Sequence, residues 1–387
     1  MSAPISRPFT YHRRQLAKAY VDGLLGTSLM DFRSGLFLTA PRRTGKSTFL
    51  QEDLLPELIS RDILPVYVDL WADRMADPGL LIAEAIRAAL RDLDGSGRRL
   101  FKAARIKKIS APGGFSVDLD SIGVPSGTTL TAALTELTNR ANQPICLVVD
   151  EAQHAVTTAA GVNVMHGLKA ARDALTMGAG GRRIAMVFTG SHRDKLGALV
   201  RSRNEPFFGA QILDFPLLDR PYTDEFTAWL NERLAADNSF EPDDVWAAFN
   251  ILGRRPEQLA ALLTSLALGQ HKAASLHSTI VNRAEALRET LWQEFDLQFD
   301  TLSPIQQVVL RQVLAHGSGF SPFGADILPT YAQLTGQKVS KSGVQSALDV
   351  LREKSLLWRS AHGVYAPEDQ AMVEWYAVRF PAVDKSA

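Results

Sequence analysis

The sequence predicts an α/β fold: a parallel sheet first, then a helical domain, then a small domain of three helices and a hairpin. Three observations predict it. Short, nearly continuous apolar runs alternate with amphipathic helical stretches in the first half of the chain. The strand signals stop after about residue 219. Residues 301–380 then change order to helix, helix, helix, hairpin.

The strand runs are LFLTA (36–40), LPVYVDL (64–70), ICLVVD (145–150) and IAMVFTG (184–190). Each is almost unbroken in apolar residues, the pattern of strands covered on both faces. A helix follows the first, with Leu50, Leu54 and Leu58 at i, i+4 and i+8. Others are expected at 79–93, around Leu130–Ala141 and around Val162–Met177. Residues 223–236, 243–252, 256–269 and 273–299 read as helices, with Pro256 suited to a first helical position. In the last segment Ser303-Pro304 opens a helix as N-cap and first residue. A second is expected at Asp326–Leu334. A third, Lys341–Lys354, places Val344, Ala347, Leu348 and Leu351 on one face. LLWRSAHGVYAP (356–367) reads as a hairpin about His362-Gly363, which makes the order that of a winged helix.

Composition narrows the function classes. In 387 residues, 42 Lys+Arg balance 42 Asp+Glu, so nucleic acid cannot be held by bulk charge and any such contact needs a local patch. A single cysteine, Cys146, excludes a disulfide framework and a multi-cysteine zinc site and fits a reducing compartment. The apolar runs are too short to span a bilayer, and MSAPISRPFTYHRRQ has no apolar signal core. A soluble cytoplasmic protein with no membrane contact is expected.

The segment that carries chemistry is Ala40-Pro41-Arg42-Arg43-Thr44-Gly45-Lys46-Ser47-Thr48. It matches G-x-x-x-x-G-K-[ST] except for Ala40, and it lies between an apolar strand and an amphipathic helix. A loop at a helix N-terminus aims several backbone N–H groups at one point, and the helix dipole favours an anion there. Pro41, Arg42, Arg43, Thr44, Gly45, Lys46, Ser47 and Thr48 are therefore the nucleotide-binding candidates. Gly45 allows an unusual φ and close backbone approach. Lys46 would reach the β- and γ-phosphates and act in catalysis, and the Ser47 hydroxyl would ligate Mg2+. Ala40 can stand in place of the first glycine only if its φ is negative. The fold class expected is thus an α/β P-loop NTPase sheet with a helical lid and a C-terminal winged helix. The domains are 1–218 (with an insertion at about 96–127), 219–300 and 301–387.

A phosphate loop needs an acid, and ICLVVDEAQH (145–154) supplies it at the carboxyl end of a buried strand. Asp150 is the metal candidate beside Ser47. Glu151 is the candidate that orients and deprotonates an attacking water. The alternative is an acidic strand end that caps the next helix. Gln153 and His154 lie one turn on. At the end of the fourth strand, Thr189 and Ser191 are hydroxyls placed to touch the γ-phosphate or the water, while Ser191 reads equally well as a helix N-cap with Asp194 three residues on. Arg201 and Arg203, in LVRSRNEPFFG, and Arg254 and Arg255, in LGRRPEQL, are candidates to stabilise transferring phosphate, in cis or from a neighbouring subunit. Solvated side chains are the competing reading for each.

Together these motifs resemble the archaeal-type ATPases, a branch near the AAA+ and STAND NTPases. The resemblance rests on APRRTGKSTFL, LVVDEAQ, FTGS with EPFFGAQILDFPLL, and ILGRRPEQLAALL, and it extends to the lid and the terminal YAPEDQAMVEWY. It implies ATP and Mg2+ as ligands, hydrolysis coupled to lid movement, and often assembly of copies through an arginine supplied in trans. This sequence departs at Ala40 and at Ala210, where an arginine often follows P-x-x-G.

For partners, Arg98, Arg99, Lys102, Arg105, Lys107 and Lys108 form an acid-free basic cluster in the insertion, suited to DNA phosphates or to an adapter surface. The third helix of the terminal domain offers Lys341, Gln345 and Arg352, and the wing offers Arg359. Asp349 and Glu353 share that side, and 301–387 holds 8 basic and 7 acidic residues, so the domain is only +1. DNA and a protein partner both remain open, with DNA favoured by the two patches together. No N-K-x-D motif sits in a suitable place, which favours ATP over GTP. The leading expectation is an ATP-hydrolysing molecular switch that couples nucleotide state to DNA or a protein. The competing one is a non-hydrolysing, nucleotide-dependent scaffold.

Overall fold

The computed structural model describes residues 9–73, 75–94, 129–176, 184–234, 239–268, 276–317, 319–324 and 326–381. The basic cluster at 98–108 lies outside them. The chain divides into two compact units, a sheet unit of His12–Ala40 with Lys46–Pro216 and a helical unit of Met1–Tyr11, Pro41–Gly45 and Leu217–Ala387.

The sheet unit runs α1 (Arg14–Leu25), β1 (Leu36–Thr39), α2 (Lys46–Phe49), α3 (Leu55–Ser60), β2 (Leu64–Asp69), α4 (Pro78–Asp94), α5 (Leu130–Ala141), β3 (Ile145–Asp150), α6 (Ala159–Thr176), β4 (Ile184–Gly190), α7 (Arg193–Gly197) and β5 (Ile212–Asp214). Its sheet has the order β2-β3-β4-β1-β5, and every pairing is parallel. The strands β1 and β3, which lead into the two halves of the motif set, flank β4. Their burial follows that order: β1 and β3 are buried at every residue, whereas the edge strand β2 alternates between buried and half-buried. One face packs on α4, α5 and α6 through Ile82, Leu134, Leu147, Leu168 and Phe188. The other packs on α1 and the helix after the loop through Tyr20, Leu38, Phe49, Leu54 and Val148.

Three elements escape the sequence reading, α1, β5 and α15. A three-residue strand such as Ile212–Asp214 is too short to show a period. A further finding concerns the helix after the loop. Between α2 and α3 it carries a π-turn, Leu50–Leu54, in which the Leu55 N–H reaches Leu50 O. Pro56, just inside α3, has no N–H and crowds the preceding turn, which accounts for the widened register. Asp53 in that turn is buried, and it accepts from the Arg13 N–H at 2.9 Å and pairs with His12 Nδ1 at 2.9 Å.

The helical unit runs α8 (Arg220–Asn231), α9 (Pro242–Ile251), α10 (Pro256–Ala267), α11 (Leu276–Asp300), α12 (Pro304–His316), α13 (Ile327–Thr335), α14 (Lys341–Glu353), β6 (Leu357–Ala361), β7 (Val364–Pro367) and α15 (Gln370–Arg379). Tyr222, Phe226, Phe249, Leu259 and Leu263 form one core, onto which Phe9 and Tyr11 pack. The terminal core gathers Trp292, Val309, Tyr331, Leu348, Tyr365 and Trp375. Ser303 forms a full capping box with Gln306, as the Ser303-Pro304 signal predicts. Helices α12, α13 and α14 followed by the antiparallel β6–β7 hairpin, with Phe320 bridging to Tyr365, make the winged-helix arrangement. No described helix is long and apolar enough to cross a membrane.

Candidate functional site

The loop Pro41–Gly45 joins β1 to α2. Ala40 is buried, lies outside the left-handed region and donates its N–H to Gly190 O at 3.2 Å, so alanine meets the backbone condition set for it. The left-handed residues are Arg43 (φ 67°) and Gly45 (φ 88°). Alternation of left- and right-handed backbone turns successive N–H groups inward, the concavity that binds anions. The Thr44 hydroxyl closes the loop by donating to Pro41 O at 2.8 Å. Arg42 and Arg43 are exposed. The Arg43 guanidinium lies 3.4 Å from Glu257 on α10, a solvent-facing pair that contributes little.

Lys46, Ser47, Asp150, Glu151, Thr189 and Ser191 come together at the carboxyl ends of the central strands. Lys46 is 6 % exposed, and its Nζ stands 3.4 Å from Glu151 Oε1. Ser47 Oγ donates to Asp150 Oδ2 at 2.7 Å. Asp150 Oδ1 accepts from the Thr189 hydroxyl, and also from the Glu151 N–H at 3.0 Å. Thr189 is fully buried, and it meets Asp150 as strand partners β3 and β4 end side by side.

Glu151 itself adopts a left-handed backbone (φ 55°), which turns its side chain back over the site. Its Oε2 accepts from Gln153 Nε2 and from Ser191 Oγ at 3.0 Å. Burial pushes the Glu151 carboxyl up, but the Lys46 charge and the hydrogen bonds from Gln153 and Ser191 outweigh it and hold the group below its usual range. Glu151 is thus an anion at neutral pH. Gln153 is buried and lies against Gly190, where a Cβ would come within 2.5 Å of Gln153 Oε1. The cap before α7 falls on His192, and the Ser191 hydroxyl points to Glu151 instead. His154 packs edge-on against Trp71, with ring centroids 4.3 Å apart.

The four arginines are not in this cluster of contacts. Arg201 pairs with Asp194 at 2.9 Å, and Arg203 is exposed. Arg254, left-handed at φ 54°, lies over the Trp246 ring and donates to Asn250 Oδ1 at 3.0 Å. Arg255 pairs with Asp369, the N-cap of α15, at 3.0 Å. Two residues that sequence reading did not single out do touch the site. Tyr67 OH donates to Asp150 Oδ2 at 3.2 Å, and Gln51 Nε2 reaches Tyr67 OH at 3.5 Å. The signal was faint: a phenol inside an otherwise apolar strand, two residues before its acidic end.

Among the described residues no group of three or more His, Cys, Asp or Glu side chains is set to hold a metal. One hydroxyl and one carboxylate are instead the hard-oxygen set that Mg2+ takes when it keeps its waters and binds phosphate oxygens. The Ser47–Asp150 pair fits that chemistry.

No family model and no curated protein sequence matches the chain. Solved structures do match. The Walker-type ATPase PABY2304 of Pyrococcus abyssi superposes with a TM-score of 0.57 at 16% identity, over 96% of this chain and 98% of that one. The fold is a P-loop α/β fold with a C-terminal winged helix. The ADP form of the Aeropyrum pernix ORC2 protein matches this P-loop fold with a TM-score of 0.56 at 14% identity, over 97% of this chain and 96% of that one. The same ORC2 protein in its ADPNP-ADP complexes matches at 0.51. The likeness therefore runs from the sheet through the winged helix.

Proposed function

We propose that the protein binds ATP with Mg2+ at the Pro41–Thr48 loop and hydrolyses it, and that the nucleotide state is coupled through the helical unit to DNA or a protein partner. The observation that carries this reading is the meeting of Lys46 and Ser47 with Asp150 and Glu151 in one network of side chains. The likeness in fold to the Walker-type ATPase of Pyrococcus abyssi and to the ADP form of the ORC2 protein supports it.

In this reading the loop N–H groups and Lys46 bind the phosphates. Lys46 exchanges Glu151, its long-range partner here at 3.4 Å, for phosphate oxygens. Ser47 and Asp150 would hold Mg2+, which supplies charge neutralisation at the phosphates when bound. Glu151, released from Lys46, accepts a hydrogen bond from the attacking water and takes its proton. Thr189 and Ser191 keep Asp150 and Glu151 in register. Arg203, which is exposed, and Arg201, Arg254 and Arg255, by exchange of their present partners, are the candidates for contact with phosphate in a nucleotide-bound or assembled state.

The test is phosphate release with and without duplex DNA, with particle mass measured in ATP. Glu151→Gln should bind ATP and lose turnover by about 10²- to 10⁴-fold. Tight ATP binding by the native chain without phosphate release under either condition would favour the scaffold reading, and a normal rate in the glutamine variant would refute Glu151 as the base. For DNA, neutralising the 98–108 cluster should flatten the salt dependence of duplex affinity. On the described winged helix, Gln345 and Arg352 both turn to Asp349, at 2.9 and 3.4 Å, which leaves α14 with little net charge to attract phosphate. The DNA arm of the proposal therefore leans on the insertion.

A further inference from the structure

We propose that Tyr67 is a positioning residue for the cation-side carboxylate: its hydroxyl, delivered from the edge strand β2, fixes Asp150 Oδ2 in the orientation that receives the divalent cation. The inference rests on the reading of Asp150 as the Mg2+ carboxylate.

Register places the phenol. Tyr67 pairs with Val148 in the parallel β2–β3 ladder, and Asp69 pairs with Asp150. Tyr67 therefore shares a sheet face with Val148 and stands one diagonal step from Asp150, within reach of a long side chain. It packs partly buried against the same core as Cys146 and Val148. A phenylalanine would fill that space as well. The hydroxyl is a cost there unless it is bonded, and its bond is to Asp150 at 3.2 Å.

Donor bookkeeping gives the hydroxyl its task. Asp150 is 1 % exposed and accepts four hydrogen bonds. Oδ1 takes the Glu151 N–H and the Thr189 hydroxyl, and Oδ2 takes Ser47 and Tyr67. When Ser47 turns to the cation, Oδ2 keeps only Tyr67. The Gln51 amide donates to the phenol oxygen at 3.5 Å, which leaves the phenol hydrogen for Asp150. A phenol is a neutral donor at neutral pH, so the hydroxyl can give its hydrogen to Asp150. Groups that hold a metal-bound carboxylate in this way change metal affinity by about 10- to 100-fold when removed.

The experiment is the binding of a fluorescent, non-hydrolysable ATP analogue to the full chain, titrated in EDTA and in Mg2+, for wild type, Tyr67→Phe, Asp150→Asn, the double variant and Lys46→Ala. Tyr67→Phe should match wild type in EDTA and in thermal midpoint, and should lose about tenfold of the affinity that Mg2+ adds. Adding Tyr67→Phe to Asp150→Asn should change nothing further. An undiminished Mg2+ gain in Tyr67→Phe overturns the proposal. So does an equal loss with and without Mg2+, which would mark a packing role alone, or a wild type that gains nothing from Mg2+. Failure of wild type to bind the analogue at all, indistinguishable from Lys46→Ala, overturns the nucleotide reading and this inference with it.

Discussion

Ser47 Oγ donates to Asp150 Oδ2 across 2.7 Å, so the first turn of the helix after the loop is tied to the end of β3, 103 residues on. The sheet order makes this possible: β1 and β3 are held parallel by β4 between them, and all three end at one edge. A hydroxyl and a carboxylate that bond each other are also placed to share one cation.

Gly190 is the first place to test how Glu151 is held. A methyl group there would meet Gln153 Oε1 at 2.5 Å and drive the amide away from Glu151. Gly190→Ala should leave nucleotide binding near wild type and slow turnover by up to about 100-fold, because Glu151, the proposed base, loses its fixed position. The obstructing atom is the end of a flexible side chain, so the thermal midpoint should move little. Turnover and midpoint measured together check both halves.

Gly45 carries a φ of 88°, and the nearest atom to a Cβ there is Leu218 Cδ1 at an ordinary 3.8 Å. Conformation rather than space forbids a side chain. Gly45→Ala should cost about 1–2 kcal/mol of local backbone energy and weaken nucleotide affinity in proportion. Equilibrium binding of ATP to the variant measures it, and an affinity equal to wild type would contradict the assigned role of the loop backbone.

Asp369 does two jobs in the helical unit: it caps α15 by accepting the Ala371 N–H at 2.9 Å, and it pairs with Arg255 at 3.0 Å. Asp369→Ala removes both and should destabilise the unit by about 1–2 kcal/mol, while Asp369→Asn keeps a capping oxygen and should cost less. Chemical denaturation of the two variants ranks them, and an asparagine variant as weak as the alanine one would assign the effect to the ion pair.

Asp296 accepts from Trp375 Nε1 at 2.8 Å and from Arg379. Burial raises its carboxyl, but the hydrogen bonds from Arg379 and Trp375 and the Arg379 charge win, and the group sits below its ordinary range. A lowered folded-state value means stability that is present above the unfolded carboxylate range and lost as pH falls through the folded one. Asp296→Asn should therefore flatten the acid limb of the helical unit's stability, which unfolding followed across pH 2–6 would show.

Much of this was legible in the sequence, for physical reasons. The parallel sheet was readable because β1 and β3 are buried on both faces and so carry unbroken apolar runs. The loop and the acid pair were readable because their chemistry demands residue types at fixed spacing, and Ser303-Pro304 because a cap is a local device. What escaped depends on approach in three dimensions. Tyr67 reaches Asp150 only through the β2–β3 register. Gln153 reaches Glu151 only because Gly190 leaves room for it. The destinations of Arg201 and Arg255, Asp194 and Asp369, are set by neighbours that no motif names.

The central claim is that the bend before Lys46 grips a triphosphate. Equilibrium binding of ATP in Mg2+ to the native chain and to Lys46→Ala tests it most directly. Saturable binding by the native chain, weakened at least about 100-fold by the alanine, about 3 kcal/mol at 1.4 kcal/mol per tenfold, is the result predicted. Equal affinity in the two proteins, or no binding in either, would contradict it.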